Sequence, residues 1–327
     1  MRRCVLTLLL SLMALGASAG NPLKPLQRVL AGADSVLRKM YHKVDYDTAY
    51  ISRSPGKIGL KAWGSLSGAS LRADGDKTNA RLRTDMRGTL SLEFDYYDLA
   101  VEVATNPTSF SGRNHDFEIN FNFYPRRFVF DVCFQKAQTA FGSFSYRDIS
   151  SDVDKGWLDT KYLYIDAYYT FNFRHFSYDA PFYQFYQQKK SVGSWLAGLS
   201  YQGGSIRTTG DVPADIPESR FGAQHIAIGG GYAYNFVASR RWLFHLSFVP
   251  NLVVWSNNTI EMDGTKTHTP TKFPTVLVNG RMGFVYYFCP SRFMGFYAVG
   301  NRLLKQKSET ELRENKWILR VFYGMRI

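Results

Sequence analysis

The chain has 327 residues, a formal net charge of +13, a pI of about 9.5 and only three cysteines. Aromatic residues make up 16% of the sequence, whereas the mean hydropathy is only −0.24. This length allows one large β domain, and the few cysteines exclude a small scaffold stapled by disulfides. Many aromatic residues with modest hydropathy are expected when half of each strand faces lipid and half faces a polar lumen.

The first 19 residues have the pattern of a signal peptide. Met1-Arg2-Arg3 is cationic, Val5 to Leu15 is apolar, and Ala17-Ser18-Ala19 supplies small residues for cleavage. The apolar run is shorter than the roughly 20 residues that span a bilayer as a helix. We therefore predict export, with cleavage of residues 1–19.

Residues 20–56 differ from everything that follows. After Pro25, apolar residues recur on one helical face, which predicts a short amphipathic helix before the barrel, on its periplasmic side. The residues of this face are Leu26, Val29, Leu30, Ala33, Val36, Leu37 and Met40. Asp45 to Pro55 is expected to be an extended linker. The pattern leaves open whether the helix lies on the membrane, fills the lumen or packs against the barrel end.

From residue 57 to residue 327, apolar residues alternate with polar ones in twelve segments. Such alternation is typical of strands with two different environments. The segments are Ile58–Leu66, Leu90–Phe94, Leu99–Val103, Phe117–Phe123, Phe128–Phe134, Leu163–Phe173, Trp195–Tyr201, Ile226–Phe236, Trp242–Phe248, Val276–Phe288, Phe293–Leu304 and Trp317–Ile327. The register of the eleventh is ambiguous. The pattern predicts an all-β fold, a transmembrane antiparallel β-barrel of about twelve strands.

The connections between these segments alternate in length. Short turns are expected at residues 96–97, 125–127, 239–240 and 290–291, and long polar loops at residues 67–78, 107–114, 140–156, 208–222 and 257–272. Short turns face the periplasm in such barrels and long loops face outside, which predicts a location in the cell outer membrane. A soluble β-sandwich or lipocalin-like barrel would also alternate, but it would not need a signal peptide and aromatic girdles beside the short turns.

One connection, Arg174 to Ser194, is long where a short turn is expected. Its aromatic and then basic sequence carries a family resemblance through Tyr169–Phe173, Phe176-Ser177-Tyr178, Ala180, Phe182, Gln187 or Gln188, Lys190-Ser191 and Gly193-Ser194. These residues resemble the central motif of domain of unknown function family 4421, which comprises uncharacterised outer-membrane-type β-barrel proteins of Gram-negative bacteria. The resemblance extends over about residues 45–327. It implies a barrel fold and brings no activity with it.

The same connection is a candidate periplasmic interaction segment. Its candidate residues are Tyr178, Phe182, Tyr186, Gln188, Lys189, Lys190, Ser191 and Ser194. The aromatic groups between Tyr178 and Lys190 are too many to leave solvated in a simple turn. We therefore expect this stretch to fold against the periplasmic mouth, with the two lysines facing the rim or anionic lipid.

Charged residues on the inward register form two groups. The acidic group is Glu93, Glu102, Glu118, Asp131 and Asp166, and the basic group is Arg281, Lys316, Arg320 and Arg326. In a closed barrel the two groups are expected on roughly opposite walls. They predict either an electric field across a narrow pore or ion pairs that fill a closed lumen. Barrels of ~8 strands are filled and those of ~16 are open, and about twelve strands fall between the two. We favour the filled or gated interpretation. In the filled case, Arg281 or Arg320 should pair with acidic groups such as Glu118 or Asp131.

Three other patterns resemble parts of functional sites. His245 and Ser247 are spaced like a hydrolytic pair on one strand face, but their register points into the lumen, away from lipid. Asp74, Asp76 and Asn79, and likewise Asp152 and Asp154, offer oxygen ligands in exposed stretches without a complete metal-binding motif. The sequence therefore predicts no catalytic residue, no metal site and no cofactor.

Three classes of function remain open from the sequence. The first is a filled or gated barrel, or a narrow conduit, for small solutes. The second is an interaction barrel that docks a periplasmic protein through its periplasmic segment, and the third is a lipid-acting enzyme.

The expected partners are outer-membrane lipid, which basic pairs such as Arg126-Arg127 would contact, and the barrel-assembly machinery during biogenesis. Nucleic acid is not expected, because the chain is exported.

Overall fold

The computed structural model describes residues 44–75, 78–84, 86–97, 99–105, 117–146, 149–209, 219–262, 265–269, 273–305 and 310–327. All of them belong to the second of two units, residues 44–327. The predicted signal peptide and amphipathic helix fall in residues 1–43, outside the described residues. In the part of the chain that is described, no helix is long and apolar enough to cross a membrane.

The described residues form eighteen strands. In chain order they are β1 Ile51–Arg53, β2 Ile58–Gly75, β3 Thr78–Thr84, β4 Arg87–Tyr96, β5 Leu99–Thr105, β6 Phe117–Phe123, β7 Phe128–Ala137, β8 Ala140–Tyr146, β9 Ile149–Val153, β10 Leu158–Thr170, β11 Tyr186–Gln188, β12 Val192–Thr208, β13 Ser219–Ser239, β14 Trp242–Met262, β15 Thr265–Thr269, β16 Thr275–Cys289, β17 Arg292–Lys305 and β18 Thr310–Arg326.

Twelve of these strands close into a ring. Their order is β2, β4, β5, β6, β7, β10, β12, β13, β14, β16, β17 and β18, and β18 pairs with β2 to complete it. Ring neighbours are antiparallel, as hairpin connections require. Each of the twelve predicted segments corresponds to one strand of the ring, so the predicted all-β barrel of twelve strands is confirmed.

The ring has an apolar outer face and a more polar inner face. In β4, Ser91 and Glu93 are buried on the inside, whereas Leu90 and Leu92 are 57% and 71% exposed on the outside. The last strand, β18, shows the same alternation, because Arg320 is buried and Val321 is exposed. Large exposed apolar side chains on every second position of neighbouring strands are the surface that lipid covers in a transmembrane barrel.

The prediction of long loops at residues 67–78 and 140–156 was wrong. β2 continues to Gly75 and pairs with β3, which pairs with β8, and β8 pairs with β9. The stretch at residues 257–272 likewise contains the end of β14 and all of β15. These parts of the strands carry few apolar residues at alternate positions, so the periodicity that reveals the other strands is missing there.

The sixth and eleventh segments also differ in detail from the prediction. β10 ends at Thr170, and Phe171 and Phe173 lie in the turn that follows. The Phe171 amide still donates to the carbonyl of Trp195 on β12 over 3.1 Å, and the turn follows. In β17, the buried side chains are those of Phe293, Tyr297 and Leu303, which settles the ambiguous register.

The barrel has two distinguishable ends. The turn end carries the tight turns at residues 125–127, 240–241 and 290–291 together with Ile327, and the loop end is the opposite one. Residues 171–191 leave the wall between β10 and β12 at the turn end and fold into the lumen; they are called the inserted segment below. Its short strand β11 pairs with β1, so part of the expected linker is ordered on it.

Candidate functional site in the lumen

Aromatic side chains of the inserted segment pack against widely separated parts of the wall. The ring centroid of Phe182 lies 5.0 Å from that of His245 on β14 and 5.4 Å from that of Tyr297 on β17. The Tyr183 ring lies 4.9 Å from Tyr124, between β6 and β7. Because these strands lie on different sides of the ring, the segment crosses and fills the lumen near the turn end. Burial also raises the pKa of the Tyr183 phenol well above its ordinary value, which keeps it neutral.

Asn235 on β13 fixes the backbone of the inserted segment. Its side-chain amide donates to the carbonyl of Ser177 over 2.7 Å and to the side-chain oxygen of Gln188 over 3.2 Å. Its own oxygen lies 2.7 Å from Nδ1 of His245. Asn235, Gln188 and His245 are all buried, so these bonds satisfy polar groups that water cannot reach.

A first ion-pair cluster joins the wall to the inserted segment. Lys61 pairs with Glu93 and lies 3.3 Å from Asp95, which is 2.9 Å from Arg326. The same guanidinium donates to the carbonyl of Tyr183 over 3.2 Å. All four charged side chains are buried, and Arg326 therefore ties the last strand to the inserted segment.

A second cluster lies farther toward the loop end. Arg281 is 2.7 Å from Asp131 and 3.3 Å from Asp166, which come from the opposite wall. The Tyr124 hydroxyl donates to Asp131 over 2.5 Å, and the Ser200 hydroxyl donates to Asp166 over 2.6 Å. One guanidinium thus holds together two carboxylates that face each other on adjacent strands.

The third group of lumen charges is a single ion pair between β18 and β5, near the first cluster. Arg320 lies 2.6 Å from Glu102, which also accepts a hydrogen bond from Ser91 over 2.6 Å. The guanidinium carbon is 5.7 Å from the Trp63 ring centroid and 5.8 Å from that of Tyr297. Arg320 therefore sits between two aromatic rings, a cation–π arrangement that holds it away from water.

A cavity of about 100 Å³ remains in the lumen, on the loop-end side of the inserted segment. Phe182 and Tyr183 line it toward the turn end, and Asn301 and Lys316 line it toward the loop end. Other lining residues are Asn120, Asn122, Tyr124, Asp131, Cys133, Tyr164, Asp166, Arg281, Tyr297, Val299, Ile318 and Arg320. Lys316 lies 3.6 Å from the Cys133 sulfur and 4.4 Å from the Tyr164 ring. A volume of this order holds several water molecules or one small solute.

Eight of the nine predicted lumen charges face the lumen, and the pairing expected between Arg281 and Asp131 is present. Two of the pairs, Arg320 with Glu102 and Arg326 with Asp95, combine residues that the sequence could not match. The side chain of Glu118 lies outside the described residues; its backbone pairs with Gln135.

The candidate interaction residues are mostly enclosed by the barrel. Tyr178, Phe182, Tyr186, Gln188 and Ser194 are buried, with exposed fractions of 1–6%, and only Lys189, Lys190 and Ser191 are exposed. The segment enters the lumen rather than covering the mouth, because its apolar rings find matching inward aromatic groups there. A partner could reach the buried five only if the segment left the barrel, which corrects the expectation of an accessible docking surface.

Several residues of the site were missed by sequence reasoning. Lys61 and Asp95 lie on the inward register of their strands, so continuing the alternation would have found them. Asn235 carries the same signal, although nothing in the sequence connects it with Ser177. Tyr124 lies in a turn between strands, where alternation gives no information.

The pair His245 and Ser247 does not form a hydrolytic arrangement in this conformation. Both side chains are buried in the lumen, where the imidazole contacts Asn235 and the Ser247 hydroxyl lies 3.4 Å from the Tyr178 hydroxyl. The Phe182 ring covers the imidazole. Among the described residues no group of three or more acidic, His or Cys side chains is placed to hold a metal; Asp76 lies outside them.

Replacing Asn235 with alanine is expected to loosen the inserted segment. The Ser177 carbonyl, Gln188 and His245 would each lose a buried partner, and one such loss costs about 1–3 kcal/mol. Urea unfolding of the refolded protein in micelles should show a lower free energy of unfolding, and protease should cut within residues 171–191 faster. Replacing Asn79, which is exposed on β3, with alanine is the control. Unchanged cleavage in N235A would contradict the anchoring role.

The fold, the lipid-facing outer wall and the filled lumen define a β-barrel of the outer-membrane type with an internal plug formed by its own chain. Residues 45–326 match the family described as Domain of unknown function (DUF4421). The chain belongs to this family. No curated protein matches the sequence.

Solved structures with a similar arrangement are outer-membrane barrels. The protease OmpT from Escherichia coli is 6% identical, with a TM-score of 0.46. The match covers 88% of this chain and 100% of the OmpT chain. The translocator domain of autotransporter NalP from Neisseria meningitidis is 9% identical, with a TM-score of 0.35 and 92% and 98% covered. The toluene transporter TodX from P. putida is 8% identical, with a TM-score of 0.26 and 84% and 91% covered. Likenesses this distant carry no information on activity or substrate.

Proposed function

We propose that this protein is a gated barrel of the outer membrane, closed in this conformation by the inserted segment, which admits small polar solutes when the segment moves. The observation that carries the proposal is the packing of Tyr178–Phe185 across the lumen, with Phe182 and Tyr183 as the floor of the cavity. The apolar outer wall and the signal-peptide pattern support the location.

The class of solute follows from the cavity lining. Asn120, Asn122 and Asn301 offer carboxamides that donate and accept hydrogen bonds, and Lys316 adds a positive charge. Arg281 and Arg320 are held by carboxylates, so their charges are largely compensated. Small polar or anionic solutes suit this lining better than apolar ones.

The proposal predicts that removing the packing of the segment opens the barrel. We would replace Tyr178–Phe185 with a Gly/Ser stretch of equal length and measure single-channel conductance in planar bilayers. The wild type is expected to show no steady conductance, because aromatic rings fill the lumen, and the Gly/Ser variant to show a steady one. Heat-modifiable mobility would establish that the variant is folded.

Replacing Lys189 and Lys190 with glutamine is the matched control. Both side chains are exposed and belong to the same segment, so the control should stay closed. A folded Gly/Ser variant that conducts no better than the wild type would overturn the gated barrel and leave a static, filled one.

A further inference from the structure

We propose that a basic groove on the outer wall, at the loop end, binds the phosphorylated sugar headgroup of a glycolipid in the outer leaflet. The groove has a volume of about 370 Å³ and is lined by residues of β7, β10, β12, β13, β14 and β15. The proposal relies on the membrane location proposed above and not on the gating, so the two fail in different experiments.

The groove exists because small residues form its floor. Ser205 and Gly222 occupy outward positions on β12 and β13, where they pair with each other. Lys161 stands on one side, opposite Ser205, and Lys266 stands on the other. Long side chains around a floor with almost none leave a depression that opens sideways on the barrel wall.

Three cations line this depression without a carboxylate partner. Lys161, Arg220 and Lys266 are exposed, and no described carboxylate lies within ion-pair distance of any of them. The acidic residue among the lining side chains is Glu261, which is directly opposite both Arg220 and Lys266 in the sheet and makes an ion pair with neither. The groove therefore carries a net positive charge.

Like charges are also placed side by side at this position. Arg207 is directly opposite Arg220, and Lys136 is directly opposite Lys161. Asp159 compensates only one member of each couple, at 2.9 Å from Arg207 and 3.8 Å from Lys136. Like charges directly opposite each other destabilise a sheet, and a bound anion removes that cost.

The groove is at the height of the lipid headgroups. The edge of the groove that is nearer the turn end includes the apolar residues Phe134 and Leu163. The exposed Ile226 and Trp255, which face each other in the sheet, begin the apolar belt two residues beyond Gln224 and Asn257, about 7 Å away. The long loops of such barrels face outside, which places the groove at the outer leaflet.

The remaining lining residues suit a sugar. Ser205, Gln224, Asn257 and Thr259 provide hydroxyl and carboxamide groups that donate and accept hydrogen bonds. Lysine and arginine clusters next to a membrane bind phosphate groups of lipids. A lipid that carries phosphate on a sugar uses both kinds of group, while its acyl chains lie along the apolar belt.

The test is titration of the refolded protein in detergent with bisphosphorylated lipid A, with the same lipid after removal of its phosphates, and with inorganic phosphate. The variant K161Q/R220Q/K266Q removes the three cations. The matched control K57Q/R240Q/R241Q removes three exposed cations at the turn end. Heat-modifiable mobility would show that each variant is folded.

We expect the wild type and the control to bind lipid A equally. The K161Q/R220Q/K266Q variant, or loss of the lipid phosphates, should weaken binding at least tenfold, and added salt should weaken it further. Equal binding of lipid A by that variant and the wild type overturns the site, as does equal binding of the dephosphorylated lipid. Binding of inorganic phosphate as tight as that of lipid A would mean an adventitious anion only, which also overturns the proposal.

Discussion

Replacing Arg281 with methionine is expected to lower the free energy of unfolding by about 3–5 kcal/mol, the cost of breaking a buried ion pair from one side. The guanidinium contacts Asp131 and Asp166, and its side chain is only 9% exposed. Without it, two facing carboxylates would remain close together in a poorly hydrated lumen. Urea unfolding and refolding in micelles, at neutral pH, would measure the loss.

Two further variants make this prediction specific. Adding Asp131→Asn and Asp166→Asn to Arg281→Met should recover much of the lost stability, because the stranded charges disappear. The control Arg302→Met removes an exposed arginine near the loop end and should change the free energy of unfolding by less than about 0.5 kcal/mol. A loss of less than about 1 kcal/mol in R281M would mean that the lumen charges are well solvated.

A reversible cross-link between the inserted segment and the wall is expected to abolish channel openings. A Cβ atom built on Gly283 would lie 3.2 Å from Cβ of Pro181, and a shift of a few tenths of an ångström brings the two atoms into the roughly 3.5–4.5 Å range of a disulfide. In a background with Cys133 and Cys289 replaced by serine, P181C/G283C should therefore oxidise readily. A mobility difference between reduced and oxidised denatured protein would show the bond.

The conductance of the two redox forms then decides the role of the segment. We expect the reduced protein to open in bursts at high applied voltage and the oxidised protein to stay closed at every voltage, because the segment cannot leave the lumen. The single variant P181C controls for the effect of the oxidant. Openings that persist in the oxidised form would exclude the segment as the gate, and a reduced form that never opens would exclude gating at these voltages.

Much of the barrel could be predicted from the sequence because a strand with lipid on one side and a lumen on the other repeats every two residues. Leu90, Leu92 and Val321 are recognisable as outward residues, and Glu93 and Arg320 as inward ones, without any knowledge of neighbours. The same rule failed for β3, β8 and β9. These strands are only five to seven residues long and carry two or three apolar residues on one face, which is too short a run for the period to be recognised.

The candidate site depended on the tertiary structure to a much greater degree. Arg326 and Asp95 are 231 residues apart, and Arg320 and Glu102 are 218 residues apart. Alternation shows that each side chain faces the lumen but not how far along the axis it lies. That height is set by the stagger of the strands when the ring closes, which is a property of all twelve strands together.

The inserted segment shows the same division. Its sequence alone determined that Phe182, Tyr183 and the neighbouring aromatic groups must be buried, since so much apolar surface is costly in water. Where they are buried was decided only by the fold, because Tyr124, His245 and Tyr297 come from separate strands and form a matching surface only once the ring has closed. Local periodicity is encoded within a few residues, whereas a lumen is created by contacts between residues far apart in the chain.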